Sequence, residues 1–135
     1  MTTTTYATKG CGFGIVDGRL APCPNKPNCV SSQAAVTDKQ HHIEALTYRG
    51  EPAQARERLE RAIAGMRRGR VVVRKPNYWR AEFTSALWRF VDDVEFLFDD
   101  NARRIDIRSV SRVGYSDLGV NRRRVEEIRH RFSDQ

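Results

Sequence analysis

From Phe90 to Arg112 the chain runs through one long alternation of apolar and charged residues, broken once by Asp99-Asp-Asn-Ala-Arg103. Few patterns restrict a fold as much. Successive side chains of a strand point to opposite faces. Phe90, Val94, Phe96 and Phe98 therefore share one face of a first strand, and Ile105 and Ile107 continue it on a second, with Ser109 and Ser111 beyond. Two such runs joined by a short polar segment read as a β-hairpin. Burying both apolar sets on one side fixes the register to within two residues, because a one-residue slip turns every side chain over. A four-residue loop at 100–103 sets Phe98 opposite Ile105, Phe96 opposite Ile107 and Glu95 opposite Arg108. A two-residue loop instead opposes Asp93 and Arg108.

Either register gathers Asp93, Glu95, Asp106, Arg108 and Arg112 on the reverse face. The first expectation is a solvated face whose cross-strand ion pairs contribute roughly 0.2–1 kcal/mol each. The sharper alternative is a partly buried network covered by the 113–121 loop. In that form Asp117 and Asn121 join Asp93, Glu95, Arg108, Ser111 and Arg112 to outline a small polar pocket. A catalytic carboxylate pair is the weakest reading, because neighbouring arginines lower carboxyl pKa values and make poor general acids of them.

The rest of the chain supplies partners for the hairpin. His42 to Tyr48 is a short extended run ended by Gly50, and Pro52 suits the first turn of a helix. Ala55, Leu59, Ala62, Ile63 and Met66 recur at helical spacing, so residues 53–66 form an amphipathic helix that Gly65 and Gly69 help to end. Arg70 to Arg74 holds three successive valines, Lys75-Pro-Asn77 makes a tight turn, and Tyr78 to Phe83 alternates with Trp79, Ala81 and Phe83 on one side. After Gly114-Tyr-Ser-Asp-Leu-Gly119, Val120, Arg124, Ile128 and Phe132 recur along a second helix, with Val125 and Leu118 alongside and Asp117 or Ser116 as its cap. The order β-α-β-β-β-β-α predicts an α+β fold: one antiparallel sheet of about five strands with both helices on one face. Residues 1–19 read as a flexible N-terminal arm with a weak glycine-rich run, followed by a Cys/Pro loop. Residues 20–135 read as a single domain.

A length of 135 residues allows one core and not two. No apolar run approaches the roughly 18–20 residues of a membrane helix, and the Thr-rich start lacks the basic and apolar regions of a secretory signal. The expectation is a cytoplasmic protein whose Cys11, Cys23 and Cys29 are thiols. A net charge of +7 favours nucleic acid, anionic lipid surfaces or acidic partners. The absence of a recognition motif argues against nucleic acid. Arg67, Arg68, Arg70, Arg74, Lys75 and Arg80 cluster near one hairpin, as a solvated face or a site for an anionic partner.

Three blocks are similar to one family: Leu20-Ala-Pro-Cys-Pro-Asn-Lys-Pro-Asn-Cys-Val-Ser-Ser32, Phe90-Val-Asp-Asp-Val-Glu-Phe96, and Arg108-Ser-Val-Ser-Arg-Val-Gly-Tyr-Ser-Asp-Leu-Gly-Val-Asn-Arg122. Together, over about residues 20–132, they resemble the DUF1499 family, a bacterial and plastid group without an established molecular function. Many of its members resemble exported or membrane-linked proteins, and the resemblance implies a disulfide at Cys23 and Cys29 in exported relatives. It singles out the polar stripe and the Cys loop without assigning them a role.

Other constellations are weaker. Cys23 and Cys29 are too widely spaced, and adjacent His41 and His42 too divergent, for a usual zinc site. A Cys nucleophile beside His41 lacks an orienting group, and Ser31, Ser32, Ser109 and Ser111 belong to no nucleophile motif. Tyr78, Trp79 and Trp88 read as core or sheet-edge aromatics. The function most consistent with these residues is a non-enzymatic module, without cofactor or metal, that binds a small molecule or a protein. The alternatives are an enzyme built on Asp93, Glu95, Arg108 and Arg112, and a basic patch for nucleic acid or another polyanion.

Overall fold

A computed structural model describes residues 14–85 and 89–133. The N-terminal arm before Gly14, with Cys11, and Trp88 lie outside the described residues. The chain forms β1 (Ile15–Val16), β2 (Arg19–Leu20), β3 (Cys29–Ser31), β4 (Leu46–Thr47), α1 (Pro52–Ala64), β5 (Gly69–Arg74), β6 (Tyr78–Thr84), β7 (Val91–Asp99), β8 (Arg104–Ser111) and α2 (Val120–Ser133).

The hairpin of β7 and β8 is the centre of the sheet. Its loop takes four residues, so Phe98 pairs with Ile105, Phe96 with Ile107 and Glu95 with Arg108. β6 and then β5 extend the sheet on the β7 side in antiparallel register, with a bulge between Val71 and Val73. On the other side of β8 the sheet has six strands rather than five, because two short strands share one edge. β3 pairs with Arg108–Val110 and β4 with Arg104–Ile105. The extended run at 42–48 contributes only Leu46–Thr47 to that edge.

Both helices cover one face. Ala55, Leu59, Ala62 and Ile63 of α1 and Val125, Ile128 and Phe132 of α2 meet Trp79, Ala81, Phe83, Val94, Phe96, Phe98, Ile105 and Ile107 in one apolar cluster. α1 ends at Gly65, whereas Gly69 opens β5. A Cβ at Gly69 would come within 2.3 Å of the Phe83 ring, so the glycine is what lets that ring lie against the strand. Three expected members of the core are absent from it: Phe90 precedes β7 and is half exposed, and Leu118 and Val120, where the chain enters α2, are exposed.

Residues 15–19 of the N-terminal arm, together with Leu20, form the β1–β2 hairpin. Ile15 and Leu20 are buried with Tyr78 on the reverse face of the large sheet. Among the described residues, no helix is long and apolar enough to cross a membrane.

Candidate functional site

The reverse face of β6–β7–β8 carries Tyr78, Arg80 and Glu82, then Asp93 and Glu95, then Asp106, Arg108 and Arg112 as neighbours across the ladder. The expectation of a solvated face fails here. Asp93, Glu95 and Arg108 are buried, and what covers them is the β1–β2 hairpin and the Cys loop rather than the 113–121 loop. β3 explains the cover. Pairing Cys29 with Val110 and Ser31 with Arg108 turns both side chains onto the polar face, and the preceding loop then folds back across it.

Two charge groups lie on this face, the first at its partly open edge and the second under the cover. In the first, Arg80 Nη1 donates to Asp93 at 2.7 Å and to Glu82 at 3.1 Å. Arg112 Nε donates to Asp93 at 2.7 Å and its Nη2 to Glu82 at 2.6 Å. Two arginines and two carboxylates thus close a ring. The bonds to Asp93, more than those to Glu82, raise the pKa of Arg112. Burial opposes the Glu82 charge, but bonds from Arg112 and Arg80 hold its carboxyl below the ordinary range.

In the second group, Glu95 Oε1 accepts from the Gly14 amide at 2.5 Å and from the Tyr78 hydroxyl at 2.9 Å. Its Oε2 accepts from Arg108 Nη1 at 3.3 Å, and Arg108 Nη2 donates to the Pro22 carbonyl at 3.2 Å. Burial pushes the Glu95 carboxyl up despite Arg108 beside it, and burial and then Glu95 push the Tyr78 hydroxyl up.

The predicted cluster is divided by the sheet. Asp93, Glu95, Arg108 and Arg112 share the reverse face, but Asn121 and Ser111 meet on the helix side. Asn121 Nδ2 donates to Ser111 at 2.8 Å, to Asp117 at 2.7 Å and to the Asn28 carbonyl at 3.2 Å, while its Oδ1 accepts from Ser109. Asp117 caps α2 by accepting the backbone N–H groups of Gly119 and Asn121. Period two would have separated these sets, since Ser109 and Ser111 share the parity of Ile105 and Ile107. The basic cluster near β5 also disperses. Arg80 joins the ring, Arg74 pairs with Glu60, and Arg67 and Arg68 stay exposed.

Cys23 and Cys29 are joined in a disulfide, which corrects the expectation of free thiols. The Pro- and Asn-dictated loop brings their Cα atoms to 5.7 Å, within the ordinary span of such a bond. Between this loop and the sheet lies a cleft of about 410 Å³ whose wall includes Cys23, Lys26, Asn28, Asp93, Arg108 and Arg112. Two of these residues each carry a polar atom that is shut off from the cleft and lacks a hydrogen-bond partner: Arg108 Nε, a donor, and Asn28 Oδ1, an acceptor. Neither Lys26 nor Asn28 stood out in the sequence. Their only signal was membership of the loop between the two cysteines.

His41 is held by Asp38 at 2.8 Å and by the Lys26 carbonyl at 2.8 Å, so it braces the Cys loop. No group of His, Cys, Asp and Glu arranged to hold a metal occurs among the described residues. A family model described as a protein of unknown function, DUF1499, matches residues 19–132. No curated protein matches the chain.

Proposed function

The chain belongs to the DUF1499 family, and we propose that it is a binding module whose cleft takes a small anionic or zwitterionic ligand. The observation that carries this reading is the cationic lining of the cleft, to which Lys26, Arg108 and Arg112 all contribute. The lining cations Lys26, Arg108 and Arg112 against the single carboxylate Asp93 favour an anionic or zwitterionic ligand.

Binding is preferred to catalysis because every carboxylate near the cleft is held by arginines. Glu95, whose raised pKa would suit an acid, is sequestered beneath Gly14, Tyr78 and Arg108. The Cys23–Cys29 bond supports an oxidising compartment, against the cytoplasmic expectation.

A thermal-shift screen with small carboxylates, phosphate esters and amino acids tests the proposal, since a ligand that binds only the native state raises Tm. The expected result is a shift for at least one such compound that shrinks in Lys26→Ala. No shift across the panel, or one indifferent to Lys26, removes the cleft as a ligand site.

A further inference from the structure

Where β8 leaves the sheet toward α2, the connecting segment presents three apolar side chains to solvent: Val113 at 52%, Tyr115 at 68% and Leu118 at 84% exposure. Leu118 does so from a left-handed backbone with φ of 55°, a conformation that costs an ordinary L-residue energy. Its side chain returns nothing to the core. Asp117 holds the turn by accepting the Gly119 amide at 2.7 Å. The display of Leu118 is therefore built in.

Beside this tip lies a groove of about 690 Å³ between the end of α1, β6 and the start of α2. Five arginines line it (Arg67, Arg68, Arg123, Arg124 and Arg131) against one acid, Glu127. Arg124 is engaged by Asp92 at 2.7 Å. Arg67 and Arg68 are exposed and form no ion pair among the described residues. Arg123 Nη1 donates to the Leu118 carbonyl at 3.0 Å, so the basic groove and the apolar tip are physically joined.

A soluble anion would satisfy the arginines and leave Tyr115 and Leu118 in water. An anionic bilayer surface takes both: phosphate headgroups face the guanidinium groups while apolar side chains enter the boundary of the acyl layer. We infer that this end of the molecule docks on an anionic lipid surface through Arg67, Arg68, Arg123, Tyr115 and Leu118. The surface is separate from the cleft proposed for a small ligand, and neither reading depends on the other.

Co-sedimentation of the full chain with vesicles tests the inference. It should pellet with vesicles containing phosphatidylglycerol and not with pure phosphatidylcholine, and added salt should weaken the binding. Arg67→Ala with Arg68→Ala should reduce partitioning by on the order of fivefold for each arginine. Tyr115→Ser with Leu118→Asn should reduce it about tenfold at unchanged net charge. Asn tolerates the left-handed turn, and circular dichroism checks that each variant folds. Equal binding to neutral vesicles, or none to anionic ones, overturns the inference. So does full binding by the Tyr115/Leu118 variant, which would reduce the effect to charge adsorption. Displacement from vesicles by inorganic phosphate at matched ionic strength would show a soluble-anion groove instead.

Discussion

Arg108 and Glu95 stand directly opposite each other on β8 and β7, 3.3 Å apart and only 1% and 0% exposed. Each has given up its water, and the raised Glu95 pKa reports that the arginine does not fully offset this loss. Removing one partner of such a pair should cost about 3–5 kcal/mol, because a buried charge is left behind. Arg108→Met should lower stability by that amount in urea unfolding. Adding Glu95→Gln, which keeps an acceptor for Tyr78 and Gly14, should recover about half of the loss. If Arg108→Met alone costs less than about 1 kcal/mol, the pair is not buried as described.

The disulfide should matter for stability and for the cleft. Cys23 and Cys29 are six positions apart, and closing so short a loop restricts the unfolded chain by roughly 2 kcal/mol. Cys23→Ala with Cys29→Ala should lower stability by about that much, read as a shift in the urea midpoint. A reducing agent should produce a similar change in the wild type and none in the variant. Equal midpoints for wild type and variant would mean that strands β3 and β8 hold the loop without help.

Much of this architecture could be read from residue order, because the hairpin satisfies two constraints at once. Its apolar parity set Phe96 opposite Ile107, and the same register brought Glu95 to Arg108. The burial of that pair could not be read this way. It depends on residues 14–34 crossing the polar face, and no periodicity in a two-residue strand such as Ile15–Val16 announces which surface it will cover. The disulfide is hidden for a related reason: it depends on how the 24–28 loop turns Cys23 back to within 5.7 Å of Cys29, Cα to Cα, which neither spacing nor composition dictates. The separation of Asn121 from Asp93 is visible in the sequence, because Ser109 and Ser111 share the parity of Ile105 and Ile107 and so face the helices.

Asn121 ties together β8, the Cys loop and the cap of α2, as it bonds Ser109, Ser111, Asp117 and the Asn28 carbonyl while fully buried. Truncation to Ala strands several of these groups at once, and each buried orphan costs about 1–3 kcal/mol. Asn121→Ala should therefore destabilise by at least about 3 kcal/mol, well above the loss for Ser111→Ala. Because the Asn28 carbonyl keeps only its bond from the Ser111 amide, amide exchange should also rise in the 23–29 loop. A variant with unchanged exchange there would break the proposed link between helix and cleft.

Acid should act on this protein through carboxyl groups whose pKa values are shifted in opposite directions. Burial raises the Asp106 carboxyl, yet bonds from Arg104, Ser32 and Gln33 hold it below the ordinary range, and Glu82 is likewise depressed. A carboxyl with a depressed folded pKa stabilises fully above its unfolded value, near 4, and that stabilisation is lost as pH falls through the folded pKa. Glu95 is raised, so its contribution is present below the unfolded value and lost as pH rises through the folded one. On acidification from about pH 5 to about pH 3, the wild-type urea midpoint should fall, because three depressed carboxyls, Asp38, Glu82 and Asp106, oppose one raised carboxyl, Glu95. Asp106→Asn should make that fall shallower. Glu95→Gln should make it steeper, since it removes the carboxyl whose protonation favours the folded state. Parallel curves for all three proteins would mean that these environments relax in solution. A shallower curve for Glu95→Gln would reverse the sign assigned to its burial.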